Sequence, residues 1–139
     1  MTAFENARKF FEACEAPEGW AGCREFVADG ATFSAQCEPI ADIATVEAYC
    51  EWMLSFGTLI APGCTYDLHS ASYDEATRTA VFFATIDARH TGDGGPVPPT
   101  NQETHSDYVY ALTMNDADQV SHFTKVWNAP WALNELGWS

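Results

Sequence analysis

Between Met1 and Glu15 the apolar positions Phe4, Ala7, Phe11 and Cys14 recur at helical spacing, and Glu5, Arg8, Lys9 and Glu12 fill the turns between them. This pattern predicts an amphipathic first helix. Pro17 and Gly19 interrupt it, and a shorter second helix is expected from about Pro17 to Phe26, with proline at its start. Asp29-Gly30 reads as a turn, and Thr32 to Cys37 as a short strand. Asp42 is a candidate N-cap for a third helix whose apolar face carries Val46, Tyr49, Cys50, Met53 and either Phe56 or Gly57, with Trp52 beside it. Pro62-Gly63 ends that helix.

From Cys64 onward the period becomes two, or gives way to continuous β-prone runs. Strands are predicted over Thr65–Tyr73, Thr79–Thr91, Thr104–Met114 and Val120–Asn128. Asp74-Glu75-Ala76-Thr77 and Asn115-Asp116-Ala117-Asp118 make the tight connections, and the Gly- and Pro-rich stretch from Gly92 to Asn101 makes an irregular loop. Pro130 opens a last short helical or irregular segment. Helices first, then strands joined by short turns, predict an α+β fold with a mostly antiparallel sheet covered on one face by helices.

The chain has 139 residues, an ordinary size for one domain, and a hydrophobic content of 47%, enough for a real core. Six Lys and Arg oppose twenty Asp and Glu, for a formal charge of -14. Binding to nucleic acid needs clustered positive charge, and the only adjacent basic residues are Arg8 and Lys9, so neither nucleic acid nor an anionic membrane is expected as a partner. No run reaches the roughly 20 apolar residues of a membrane helix. The start of the chain lacks a basic segment followed by an apolar one, so a cytoplasmic location is expected. Cys14, Cys23, Cys37, Cys50 and Cys64 are widely spaced with no C-x-x-C pair. They read as reduced, mostly buried small side chains, and no metal site is expected. No phosphate-binding loop, dinucleotide fingerprint, H-E-x-x-H or G-x-S-x-G occurs, and no cofactor is expected.

Several segments resemble the SnoaL-like branch of the nuclear transport factor 2-like superfamily. They are His105-Ser106-Asp107-Tyr108-Val109-Tyr110, the hairpin Asn115 to Val120, the tail from Lys125 to Leu133, the ending Leu136-Gly137-Trp138, and the entry Asp29-Gly30-Ala31-Thr32-Phe33. The resemblance implies a cone in which a bent sheet wraps a long helix around a pocket for a small, largely apolar molecule. It implies cofactor-independent proton-transfer chemistry such as isomerisation, cyclisation or dehydration, or else non-catalytic binding or dimerisation. A homodimer built on the outer sheet face is implied too. SnoaL-type cyclases, as the resemblance implies, carry an acidic group on the final strand. Here Gln119 to Asn134 holds no Asp or Glu, and Lys125 or Asn128 occupies that neighbourhood.

Residues two apart on a strand share a face. Glu103, His105 and Asp107 therefore align, and so do His122, Thr124, Val126 and Asn128 on the partner. Pairing Met114 with Gln119 sets His105 opposite Asn128 and Asp107 opposite Val126, with both rows facing the pocket. A one-residue slip would bring Asp107 to Lys125 and Trp127 instead. His105 and Asp107 form the candidate catalytic pair, imidazole titrating near neutrality and the carboxylate orienting it. A solvated sheet edge or a purely positional polar pair gives the same pattern. Asn128, His122 and Thr124 are candidate substrate contacts, with Tyr49, Met53 and Trp20 as walls. Asp67 with His69 is a second acid–histidine pair, and Asp87 and His90 point to opposite faces. Tyr108, Tyr110, Phe123 and Trp127 are expected on the outer face, as a dimer surface.

Overall fold

Thr2 starts the first helix with a reciprocal cap: its hydroxyl accepts from the Glu5 amide at 3.1 Å, and the Glu5 carboxylate accepts from the Thr2 amide at 3.1 Å. In the computed structural model, which describes residues 1–139, helix α1 covers Ala3–Glu15. It is followed by α2 (Gly19–Cys23), a 3₁₀ turn over Arg24–Phe26, and strand β1 (Val27–Ala35). Helix α3 (Val46–Ser55) begins at Thr45, not Asp42. Thr45 is extended, so its hydroxyl can accept from the Ala48 amide. The helix loosens into a π-helical turn over Phe56–Ile60.

Strands β2 (Thr65–Asp74), β3 (Thr79–Arg89), β4 (Glu103–Met114) and β5 (Val120–Trp127) follow, and α4 (Ala129–Leu136) closes the chain. The sheet order is β1-β5-β4-β3-β2, antiparallel except where β1 lies parallel to β5. This is the predicted α+β layout. Helices α1 and α3 pack on one face, where Phe10 and Phe11 meet Tyr110, Phe82 and Phe123. No helix is long and apolar enough to cross a membrane.

The β4–β5 register departs from the expected one. Asn115 accepts two amides in the turn and Asp118 adopts a left-handed backbone, so Met114 pairs with Val120; a bulge then sets Thr113 opposite His122. Val109, not Asp107, therefore sits opposite Val126, and the Asn128 amide donates to the Asp107 carbonyl at 3.2 Å. The displacement from the expected pairing is two residues, which preserves which side chains share a face. What it cannot settle is which face turns inward.

Candidate functional site

Along β4 the buried residues are Thr104, Ser106, Tyr108, Tyr110, Leu112 and Met114. This row faces α1 and α3. The hydroxyls of Tyr108 and Tyr110 both donate to the carboxylate of Glu15, the latter at 2.8 Å. Glu15 is the last residue of α1 and is buried. Burial pushes its carboxyl up to about 7, against the opposing pull of the Lys125 charge and the two tyrosine hydrogen bonds. Its place at the negative end of a helix dipole acts in the same upward direction.

Lys125 enters from β5, opposite Tyr110 in the ladder. Its ammonium donates to the Tyr49 hydroxyl at 2.6 Å. It also lies between four rings: 5.0 Å from the centroids of Tyr49 and Trp127, 5.2 Å from Tyr108 and 5.6 Å from Trp52. Burial lowers its pKa, while Glu15 acts to raise it. The aromatic faces stabilise the cation that burial disfavours. A carboxyl that titrates near neutrality and an ammonium with a lowered pKa thus share one apolar interior. The arrangement can both donate and accept a proton.

A cavity of about 10 Å³, lined by Trp52, Met53, Phe56, Ile86, Thr104, Lys125 and Trp127, lies beside this cluster. That is room for about one water molecule. On the other side of Lys125 and Trp127 a cleft of about 280 Å³ opens among Ser34, Cys37, Thr124 and Val126. A larger hollow of about 930 Å³ lies far from this chemistry, around Phe4, Tyr73 and the exposed Arg78–Asp118 ion pair. The small cavity, with Glu15, Lys125 and Tyr49 beside it, forms the candidate site; the cleft lies across the strand from it, on the side of Thr124 and Val126.

His105 and Asp107 lie on the opposite, outer side of the sheet, and this corrects their expected placement in the pocket. His105 is exposed, with Nδ1 2.5 Å from an Asp87 oxygen, a contact that raises its pKa. Asp107 is exposed and accepts from Thr85, whose hydroxyl also meets His69 Nε2 at 2.7 Å. His122 and Thr124 lie on the outer face as well, the His122 ring bonding Thr32, Ser34 and Thr124. Asn128 is exposed at the start of α4. Trp20 is half-buried at the α2–α3 junction, its amide donating to Glu51. Of the proposed contacts, Tyr49 and Met53 face the site.

The expected dimer surface of Tyr108, Tyr110, Phe123 and Trp127 is also corrected, since all four are buried inside. Asp87 takes His105 as its partner, while Arg89 pairs with Glu103 at 2.9 Å. His90 is fully buried, and its Nδ1 receives the Trp138 indole N–H at 2.9 Å. Glu15, Lys125 and the inward tyrosines were missed as a site. A signal existed for each set. Ala7, Phe11 and Glu15 are four apart on one helix face, and Tyr108, Tyr110, Leu112 and Met114 form a bulkier, more apolar row than Asp107, Val109, Ala111 and Thr113.

The architecture matches solved structures across nearly the whole chain. A protein from Jannaschia sp. CCS1, described as a candidate SnoaL-like polyketide cyclase, superposes with a TM-score of 0.77 at 15% identity, over 96% of this chain and 90% of that one. This is the SnoaL-like, nuclear transport factor 2-like fold. AclR from Streptomyces galilaeus, described as a candidate hydroxylase, matches at 0.75 and 18% identity over 99% of this chain and 85% of its own. An LEH-like epoxide hydrolase from M. tuberculosis matches at 0.66 and 10% identity over 96% and 88%. No protein-family model matches the sequence, and no curated protein does. Three differently named chemistries on one fold leave the reaction to the side chains of the site.

Proposed function

We propose that this chain binds a small, largely apolar molecule in its SnoaL-like cone and transfers a proton on it, in an isomerisation, cyclisation or dehydration. The single observation behind this reading is Glu15, buried with a carboxyl that titrates at about 7 and held by two tyrosines. It fills the role of the acidic group missing from the final strand, but from the end of α1. Lys125 and Tyr49 lie across the interior to stabilise charge that develops on the ligand. The neighbours' names, which refer to polyketides and epoxides, support a ligand of this class.

The experiment incubates the chain with a panel of apolar ketones in D2O and follows deuterium uptake beside the carbonyl by NMR, with Trp52 and Trp127 emission reporting binding. Uptake that disappears in Glu15→Gln supports the proposal. Uptake unchanged in that folded variant defeats it. A non-catalytic binding domain is the competing reading, favoured by the narrowness of the interior cavity. It predicts quenching without uptake in the wild type.

A homodimer belongs to the same proposal, on the outer sheet face as expected but through other residues than those first named. Phe83, Val109 and Val126 stand in register across β3, β4 and β5 as an apolar row on the outer face, with Phe83 and Val126 exposed. Sedimentation should show a dimer that Val126→Lys dissociates. A wild type that stays monomeric at micromolar concentration removes this part of the proposal.

A further inference from the structure

Three of the cysteines that the sequence scatters are gathered by the fold. Cys14 near the end of α1, Cys23 at the end of α2 and Cys50 within α3 place their sulfurs within 4.8 Å of one another. All three are buried. The convergence depends on close helix packing. Gly19, with φ +71°, starts α2, and a Cβ there would come within 2.8 Å of Leu54 on α3. Only glycine combines that backbone with that approach.

Three bonds of about 2.3 Å, the zinc–thiolate length, set the sulfurs about 4.0 Å apart around a flat centre and about 3.5 Å apart around a pyramidal one, so sulfurs within 4.8 Å of one another bind such an atom after closing by about 1 Å. Charge narrows the choice of atom. Glu15, Glu18 and Glu51 all bear on the cluster, and Lys125 is the cation that bears on Cys14. A buried complex that kept negative charge would be disfavoured among these carboxylates. Three thiolates around a monovalent ion carry two negative charges. Around a divalent ion they carry one, which a neutral fourth ligand leaves in place and an anionic one increases. Around a trivalent centre they carry none.

We propose that Cys14, Cys23 and Cys50 form a three-sulfur binding site for a trivalent thiophilic metalloid of the arsenic(III) class. Arsenous acid, As(OH)3, reacts with three thiols to give As(S-Cys)3 and three waters. Three As–O and three S–H bonds break, three As–S and three O–H bonds form, and no electron changes hands. Reactants and product are neutral, which suits a dry, acid-flanked site. This site stands independently of the proton-transfer proposal.

The test uses the full, reduced chain under oxygen-free conditions, titrated with sodium arsenite and followed by native mass spectrometry and thermal melting. One arsenic per chain is expected, with loss of three hydrogens and a raised melting temperature. Cys14→Ala, Cys23→Ala and Cys50→Ala should each weaken binding by more than about 100-fold, beyond the scale of losses from outer-shell changes. Cys37→Ala and Cys64→Ala should leave it unchanged. X-ray absorption of the wild-type adduct should show three sulfur neighbours, a readout that needs no variant to fold. The proposal is overturned by retained As–O bonds, by an adduct only on unfolded chain, by binding that survives any one of the three replacements, or by equimolar zinc or copper(I) displacing the arsenic.

Discussion

On the outer side of β4, His105 and Asp107 stand in solvent and reach across to Asp87 and Thr85. One residue away, on the inner side, Tyr108 and Tyr110 close on the Glu15 carboxylate beneath two helices. Both sides carry an acid with hydrogen-bonding partners. The outer set is immersed in water, where charges a few ångströms apart interact by about 1 kcal/mol and side-chain entropy opposes holding them in place. The inner set has lost its water, so one buried carboxyl moves to about 7. The presence of a His-x-Asp motif therefore says less about chemistry than the side of the sheet on which it lies.

The largest expected contrast is in turnover. Glu15→Gln should lower proton exchange on a bound ketone by about 10²–10⁴-fold, the usual contribution of an acid–base group. The outer replacements His105→Gln and Asp107→Asn should leave the exchange rate intact, and a comparable loss from either would erase the distinction between the two faces.

Next is the pH dependence of stability. Folding raises the Glu15 carboxyl from 4.5 to about 7, so the folded chain holds that proton more tightly than the unfolded one. The stability tied to this group is complete below about pH 4.5, falls by about 3 kcal/mol as pH rises through about 7, and is constant above it. Urea unfolding of wild type and Glu15→Gln across that window should show the decline in the wild type alone. A parallel slope in the variant would mean that another group carries it.

Removing one inner hydrogen bond is a smaller change. Tyr110→Phe deletes the donor at 2.8 Å from Glu15 while keeping the ring that packs on Phe11 and Phe123. It should cost about 1.5–3 kcal/mol above about pH 7, where the acceptor carries charge, and shift the exchange profile toward higher pH. Denaturant midpoints and the pH profile check both effects. Smallest of all, His105→Gln should change stability by under about 0.5 kcal/mol, as expected of a substitution on an exposed face. A larger loss in urea unfolding would make the outer pair structural.

The order of elements was legible from local pattern alone, because helix and strand periods, turn residues and caps are short-range properties. The first helix, the Asn115–Asp118 hairpin and the run of strands from Thr65 to Trp127 all follow from it. So did the rule that His105 and Asp107 share a face while Tyr108 and Tyr110 share the other, since side chains alternate along a strand whatever surrounds it. Which of those faces turned inward was decided by where α1 and α3 packed, a contact between residues as distant as Glu15 and Tyr110. The bulge between β4 and β5 likewise depended on the folded turn. Convergence of Cys14, Cys23 and Cys50 needed three helices crossing at one point. The same holds for the burial that brings Glu15 to about 7. A pKa responds to the water that distant segments exclude, and linear spacing carries no record of that exclusion.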